Sequence, residues 1–254
     1  ENVIAGQGTI GLELLDQLPD VEAVVVPVGG GGLISGVAYA VKSLNPNVKV
    51  YGVQASGAPS MVNSLHDHKQ EKLAKVSTIA DGIAVKEPGS VTFDICSRYV
   101  DDIVTVSEDE ICAAILHLIE SEKMVAEGAG AASVAAVMFN KVPVKGKKTI
   151  CVVSGGNIDV TILSRVINRG LAKSGRICTL IIELADKPGQ LLKVCQVIAA
   201  QGGNIVSVYH ERNNDSKKVT DCVLRLSVET KNQEHVESIT KALTDNGLKI
   251  RENI

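Results

Sequence analysis

The run VVVPVGGGG, Val24 to Gly32, constrains this chain more than any other stretch. An unbroken apolar, β-branched segment reads as a strand buried on both faces. Helical spacing resumes at once in LISGVAYAV, Leu33 to Val41. Four glycines between a strand and a helix are entropically costly, because glycine gives up more freedom on folding than any other residue. Such a turn suits a partner that must approach the backbone itself. Unhindered N–H groups converge there, and the helix N-terminus adds its partial positive charge, so the expected partner is an anion.

Two phosphate motifs fail at this turn. The dinucleotide fingerprint G-x-G-x-x-G meets Ile34 or Ser35 in its last place, and Gln54 stands where an acidic residue would close the next strand. A P-loop fails because Gly31-x4-Gly36 is followed by Val37 and not by Gly-Lys. A compact anion held by backbone alone remains, such as the single phosphate of pyridoxal phosphate. A tight packing turn is the alternative.

The periodicity beyond the turn is that of an α/β protein. Helical spacing covers 9–17, 33–44, 59–65, 108–122, 128–139 and 159–173, and strands are expected at 21–28, 48–54, 101–106 and from 147. Ser107 with Glu110 three residues on predicts a capping box. Strands alternating with helices predict a doubly wound parallel sheet. After Gly175 the pattern becomes strand 176–184, helix 187–202, strand 204–213, turn NDSKK, strand 219–230, a helix from Asn232 and a last strand at LKI. That βαββαβ order predicts a smaller ferredoxin-like α+β domain. The expected division is 1–174 and 175–254.

Composition narrows the classes. With 254 residues, 45% hydrophobic and 22% charged, the chain suits one large or two modest domains. A net charge of −3 gives no general attraction to nucleic acid or an anionic membrane. No apolar run reaches the roughly 18 residues of a membrane span. The six cysteines lack C-x-x-C spacing and sit mostly in apolar runs, which points to reduced thiols and a cytoplasmic protein. His66-x-His68 lies in a charged segment without a partner cluster and reads as solvated surface.

Four motifs in order, VVVPVGGGGLISG, TIADGIAV, EGAGAASVAA and ICVVSGGNID, resemble the fold-type-II pyridoxal-phosphate enzymes, above all the threonine/serine dehydratases (threonine ammonia-lyases). The likeness runs from Glu1 to about Lys173. The second domain, with DKPGQL at 186–191, resembles an ACT domain, an amino-acid-sensing module. The resemblance assigns Gly29, Gly30, Gly31, Gly32 and Leu33 to the cofactor phosphate. It places Gly82 beside the ring, Ser154 opposite the pyridine nitrogen, and Glu127 in the pocket. Taken alone, Ser154 also reads as a helix cap and Glu127 as a charge set against a helix dipole. A neutral hydroxyl at Ser154 suits β-elimination better than transamination, because it does not hold the ring nitrogen protonated.

The resemblance further implies conversion of L-threonine to 2-oxobutyrate and ammonia, regulated by an amino acid at the ACT domain. The chain opens without methionine and directly in helical spacing, as a piece of a longer protein would. The family's cofactor-binding lysine would lie upstream of Glu1, so this chain alone is expected to be inactive. The carboxylates that hold a divalent cation in related enzymes are matched by Gln54 and Ser60, with the Ala58 carbonyl, so no divalent metal is expected. In the ACT-like part Asp186 is expected to cap the helix, with Pro188 in its first turn. Gly189, Gln190 and Leu191 would offer backbone donors to an amino-acid carboxylate, with Asn204 as a partner. Such ligands lie between two ACT copies, implying a homo-oligomer, dimer or tetramer. The competing reading is a non-catalytic amino-acid-binding or assembly module.

Overall fold

A computed structural model describes residues 2–212 and 221–251. The chain divides into two compact units, Glu1–Gly170 and Leu171–Ile254. Its elements in order are α1 (Asn2–Gln17), β1 (Ala23–Pro27), α2 (Gly32–Leu44), β2 (Lys49–Ala55), α3 (Ser60–His66), α4 (Ser90–Tyr99), β3 (Asp102–Val106), α5 (Glu108–His117), α6 (Gly128–Met138), β4 (Thr149–Cys151) and α7 (Val160–Lys173). The second unit continues with β5 (Ile177–Ala185), α8 (Gln190–Ala200), β6 (Asn204–Glu211), β7 (Asp221–Glu229), α9 (Gln233–Asp245) and β8 (Lys249–Arg251).

In the first unit the sheet order is β3-β2-β1-β4, and every pairing is parallel. Strand β1 is buried along its whole length, as its unbroken valines require. Its alternate residues feed two cores. Ala23 and Val25 join Val53, Ile111, Ile115 and the alanines of α6 on one face. Val24 and Val26 join Ile34, Val37, Val41 and Met61 on the other. Helices therefore cover both faces, which is the doubly wound arrangement. Helix α1 docks closely on α2, where a Cβ at Gly36 would stand 2.4 Å from the Ile4 carbonyl oxygen.

Local signals set several element ends. Ser107 caps α5 with the reciprocal Glu110 contacts of a capping box. Burial raises the Glu110 carboxyl, but the Ser107 N–H and Lys141 outweigh it and hold that group below its ordinary value. The long helix expected at 108–122 ends its regular part at His117 and widens into a π-type turn over 118–122. Helix α4 has no counterpart in the sequence reading. Only Cys96 of this polar segment is fully buried, and its stability comes from Phe93 and Tyr99 on the second core. Tyr99 meets Tyr39 edge to face, with ring centroids 5.3 Å apart.

The second unit carries the antiparallel order β6-β7-β5-β8, the ferredoxin-like arrangement. Leu180, Ile182, Leu224 and Leu226 of the sheet close one core with Val194 and Ile198 of α8 and Ile239 and Leu243 of α9. Both helices thus lie on one face. The expected turn NDSKK falls outside the described residues.

Candidate functional site

Sheet order locates the site before any side chain is considered. The chain steps outward from β1 to β2 and β3, then returns to place β4 on the other side of β1. Strand order reverses between β1 and β4, and ligands of open α/β sheets bind in the crevice beyond the carboxyl ends at such a reversal. The glycine turn follows β1 there, and the segment with Ser154 follows β4 there.

Gly31 is the N-cap of α2 and takes the left-handed conformation, φ 92°, which a side chain resists. A Cβ on it would also stand 2.9 Å from the Thr92 Cβ. The N–H groups of Gly29, Gly30 and Gly31 donate no hydrogen bond among the described residues. The Gly30 carbonyl is turned aside: the Thr92 hydroxyl donates to it at 2.5 Å, and the Gly89 N–H at 3.4 Å. The result is a concave set of free donors at a helix N-terminus. That is the cradle a phosphate needs, so the residues fit the phosphate of the expected cofactor.

The other motif residues close around this turn. A Cβ on Gly29 would lie 3.2 Å from the Ile83 Cα and 3.4 Å from the Gly82 carbonyl oxygen. Gly82 in turn faces Glu127, whose carboxylate would be 3.3 Å from a Cβ there. The same carboxylate would be 2.6 Å from a Cβ on Gly155, and the Glu127 N–H donates to the Gly155 carbonyl at 3.2 Å. Helix α6 can approach because it opens with small residues: a Cβ on Gly130 would fall 2.1 Å from the Ser154 carbonyl oxygen. The Ser133 hydroxyl fastens it by donating to the Val152 carbonyl at 2.7 Å. Gly29, Gly82, Glu127 and Ser154 are thus brought together from four separate segments. Ser154 does not cap a helix, since α7 begins at Val160.

Thr92 is a residue that sequence reasoning missed, because its element was not read. Gln54 has a structural role that sequence reasoning also missed. Its side-chain oxygen accepts from the Met61 and Val62 N–H groups, both at 2.9 Å, and so caps α3; it is not available to a cation. The Ser60 hydroxyl is buried without a hydrogen-bond partner among the described residues. His66 is exposed and pairs with Asp67 at 2.6 Å. Burial pushes the Cys96, Cys112 and Cys151 thiols up to about 11, so each stays protonated and inert at neutral pH. An apolar groove of about 770 Å³ lies between α1, α2 and α4, against Leu12, Tyr39, Leu44 and Val91, but it gathers no carboxylate, imidazole, thiol or amine.

In the second unit the turn 186–191 borders a cavity of about 450 Å³ shared with His210, Arg212 and Cys222. Two expectations need correcting. Helix α8 begins at Gln190 with Gly189 as its left-handed N-cap, so Asp186 does not cap it and Pro188 precedes its first turn. Asp186 is held instead by the Arg212 guanidinium, Nε to Oδ2 at 3.1 Å. Asn204 is not brought to this turn within the chain. It pairs with Glu229 opposite Ile177, at the far end of β5 from Ala185, and its amide donates to the Glu229 carboxylate at 2.7 Å.

Comparison with known proteins agrees with this geometry. Residues 1–156 match the family model described as pyridoxal-phosphate dependent enzyme, and residues 174–246 match that of the ACT domain. An L-threonine ammonia-lyase of Thermotoga maritima is 52% identical over 98% of this chain and 62% of its own length. One from Geobacter sulfurreducens is 44% identical over 95% of this chain and 60% of its own length. Among solved structures, the processed form of threonine deaminase isoform 2 from Solanum lycopersicum is 42% identical with a TM-score of 0.62, over 65% of this chain and 49% of that one. The chain spans about three fifths of the curated relatives it matches. Among the described residues no helix is long and apolar enough to cross a membrane. The first of these family models covers more than half of the residues, including the glycine cradle at the switch point of the parallel sheet, and the chain belongs to the pyridoxal-phosphate dependent enzymes.

Proposed function

We propose that this chain is the larger part of a threonine ammonia-lyase, in which the whole protein eliminates water from L-threonine, or L-serine, and releases a 2-oxo acid and ammonia. Residues 1–174 form the catalytic part and 175–254 the regulatory ACT domain. The observation that carries the reading is the convergence of Gly29–Gly31, Gly82, Glu127 and Ser154 at one end of the sheet.

Pyridoxal phosphate supplies an electron sink when bound. Gly29 to Gly32, with Leu33, hold its phosphate through backbone N–H groups, and Thr92 keeps the Gly30 carbonyl out of the anion's way. Gly82 leaves room beside the ring. Ser154 would offer the ring nitrogen a neutral hydroxyl, which would not hold that nitrogen protonated and so would suit β-elimination better than transamination. Glu127 sets its side-chain oxygens between Gly82 and Gly155, placed to orient the substrate ammonium or the departing hydroxyl. The reaction belongs to the whole protein. Titration of the chain with pyridoxal phosphate tests the cradle: saturable binding that inorganic phosphate displaces is expected, and no binding overturns it. In the whole protein, Glu127→Gln lowers 2-oxobutyrate release at least tenfold without loss of cofactor; unchanged release removes Glu127 from the site.

The regulatory half of the proposal rests on the ACT unit. The turn with Asp186, Pro188, Gly189, Gln190 and Leu191 receives an amino acid, its carboxylate on the N–H groups that open α8. Strand β6 is an edge of its sheet and exposes Val206, Val208 and Tyr209, which suits pairing with a second copy. Pairing of that kind also gives Asn204 of one copy a route to the turn of the other. An amino acid bound there shifts catalysis only through unequal affinity for two assembly states. Sedimentation of the full chain with and without isoleucine, valine, serine or threonine tests this; a monomer indifferent to all four would refute it.

A further inference from the structure

The inner face of the second sheet changes chemistry at one end. Cross-strand partners and residues two apart share a face, so Leu180, Ile182 and Leu184 of β5 lie with Leu224, Leu226 and Val228 of β7 on the side the helices cover. Continued outward, the same parity gives Asp186 two residues beyond Leu184, Cys222 opposite Leu184, and His210 of β6 opposite Leu224. An apolar face thus ends in a carboxylate, a thiol and an imidazole. Helix α8 does not cover them, because it begins only at Gln190.

Their ligand atoms all lie within 4.8 Å of one another, on the wall of the cavity of about 450 Å³. Three side chains of metal-ligating type thus stand close enough to share one ion. We infer that Asp186, His210 and Cys222 form a zinc site in the ACT domain, with a fourth position open to the cavity. Thiolate with imidazole selects a borderline ion such as Zn²⁺ over Mg²⁺ or Ca²⁺, which prefer oxygen. Zinc sits about 2.0–2.3 Å from such ligands. The donors therefore need to close by a small rotation of the two partly exposed side chains, while Cys222 is fixed in the sheet.

The existing contacts favour that movement. Asp186 has one oxygen on Arg212, 3.1 Å away, and turns the other toward His210 Nε2, 3.9 Å away. Arg212 would stay in place as the partner that orients the metal-bound carboxylate, the usual role of an outer hydrogen bond at a metal centre. The ion would replace a weak Asp186–His210 contact with two bonds. Binding would release the Cys222 proton, written as Zn²⁺ plus thiol giving zinc thiolate plus H⁺, with no change in oxidation state.

The inference does not depend on the proposed amino-acid ligand, and its test contains none. The full chain is stripped with a chelator and titrated with Zn²⁺ against a competing indicator, then with Co²⁺ as a spectroscopic probe. One tight equivalent per chain is expected, with a thiolate-to-cobalt charge-transfer absorption. Cys222→Ser should abolish that absorption, and His210→Gln should weaken Zn²⁺ at least tenfold. His210→Gln is the guard against misfolding, since His210 is exposed. Absence of a tight equivalent in the unsubstituted chain would overturn the site, as would an unchanged affinity in His210→Gln with the fold intact by circular dichroism.

Discussion

Two turns in this molecule solve the same local problem, and their surroundings separate them. Each joins a strand to a helix through a glycine N-cap in the left-handed region, Gly31 at φ 92° and Gly189 at φ 87°. Around Gly31 a Cβ would meet Met61 at 2.6 Å and Thr92 at 2.9 Å, whereas around Gly189 nothing lies within 4 Å. The first turn is clamped from outside by α3 and α4; the second opens onto a cavity. A clamped cradle holds a fixed group in one orientation, as a resident cofactor requires. An open turn suits a ligand that comes and goes.

The largest test of this contrast is Gly31→Asp. A side chain and a negative charge would enter the point where the free N–H groups converge, so pyridoxal phosphate binding by calorimetry should be lost altogether. Alanine separates backbone from packing. Gly31→Ala carries both the left-handed cost and the overlap with Thr92, about 3 kcal/mol in chemical denaturation of the first unit. Gly189→Ala carries only the backbone cost, about 1 kcal/mol in the second unit. Equal losses would show that the two turns are the same device. Ser107→Ala, which removes a cap with no ligand role, should cost about 1 kcal/mol or slightly less and leave cofactor binding untouched.

The smallest effect concerns pH. Burial raises the Asp101 carboxyl, but Lys42, Lys49 and the Val50 N–H outweigh it and hold it below its ordinary 3.8. A depressed carboxylate contributes stability that is fully present above its unfolded value and is lost as pH falls through the folded one. Asp101→Asn should therefore flatten the acid limb of the first unit's stability below about pH 4, by under about 1 kcal/mol because the pair is partly solvated. Its acid limb staying as steep as before would reassign the effect to other carboxylates.

The first turn was legible in the sequence as strand, glycine, helix, because glycine content and hydrophobic period are local properties; the second was legible as a strand-to-helix turn, but its helix was expected from 187 and begins only at Gln190 after the Gly189 cap. Local reading went astray where a residue's partner is distant in the chain. Asp186 looked like a cap, since a carboxylate before a helix usually is one; Arg212, across the sheet, takes it instead. Gln54 was read only as a neutral residue in place of a carboxylate; that its amide spans from the Val28 carbonyl to the N-terminus of α3 shows only in the fold. Helix α4 was passed over although Phe93, Cys96, Tyr99 and Val100 recur at helical spacing, because the stripe is short and set among polar residues; its tyrosine and phenylalanine find their partners only in the folded core.

The sequence by itself determined the α/β and ferredoxin-like halves, the glycine cradle and the capping box at Ser107. Each rests on periods of two or 3.6 residues, or on contacts within four positions along the chain. Only the tertiary structure decided that Glu127 stands between Gly82 and Gly155, that Thr92 turns the Gly30 carbonyl away, and that Asp186, His210 and Cys222 share one face. Those juxtapositions follow from sheet order and register, which bring together residues tens of positions apart.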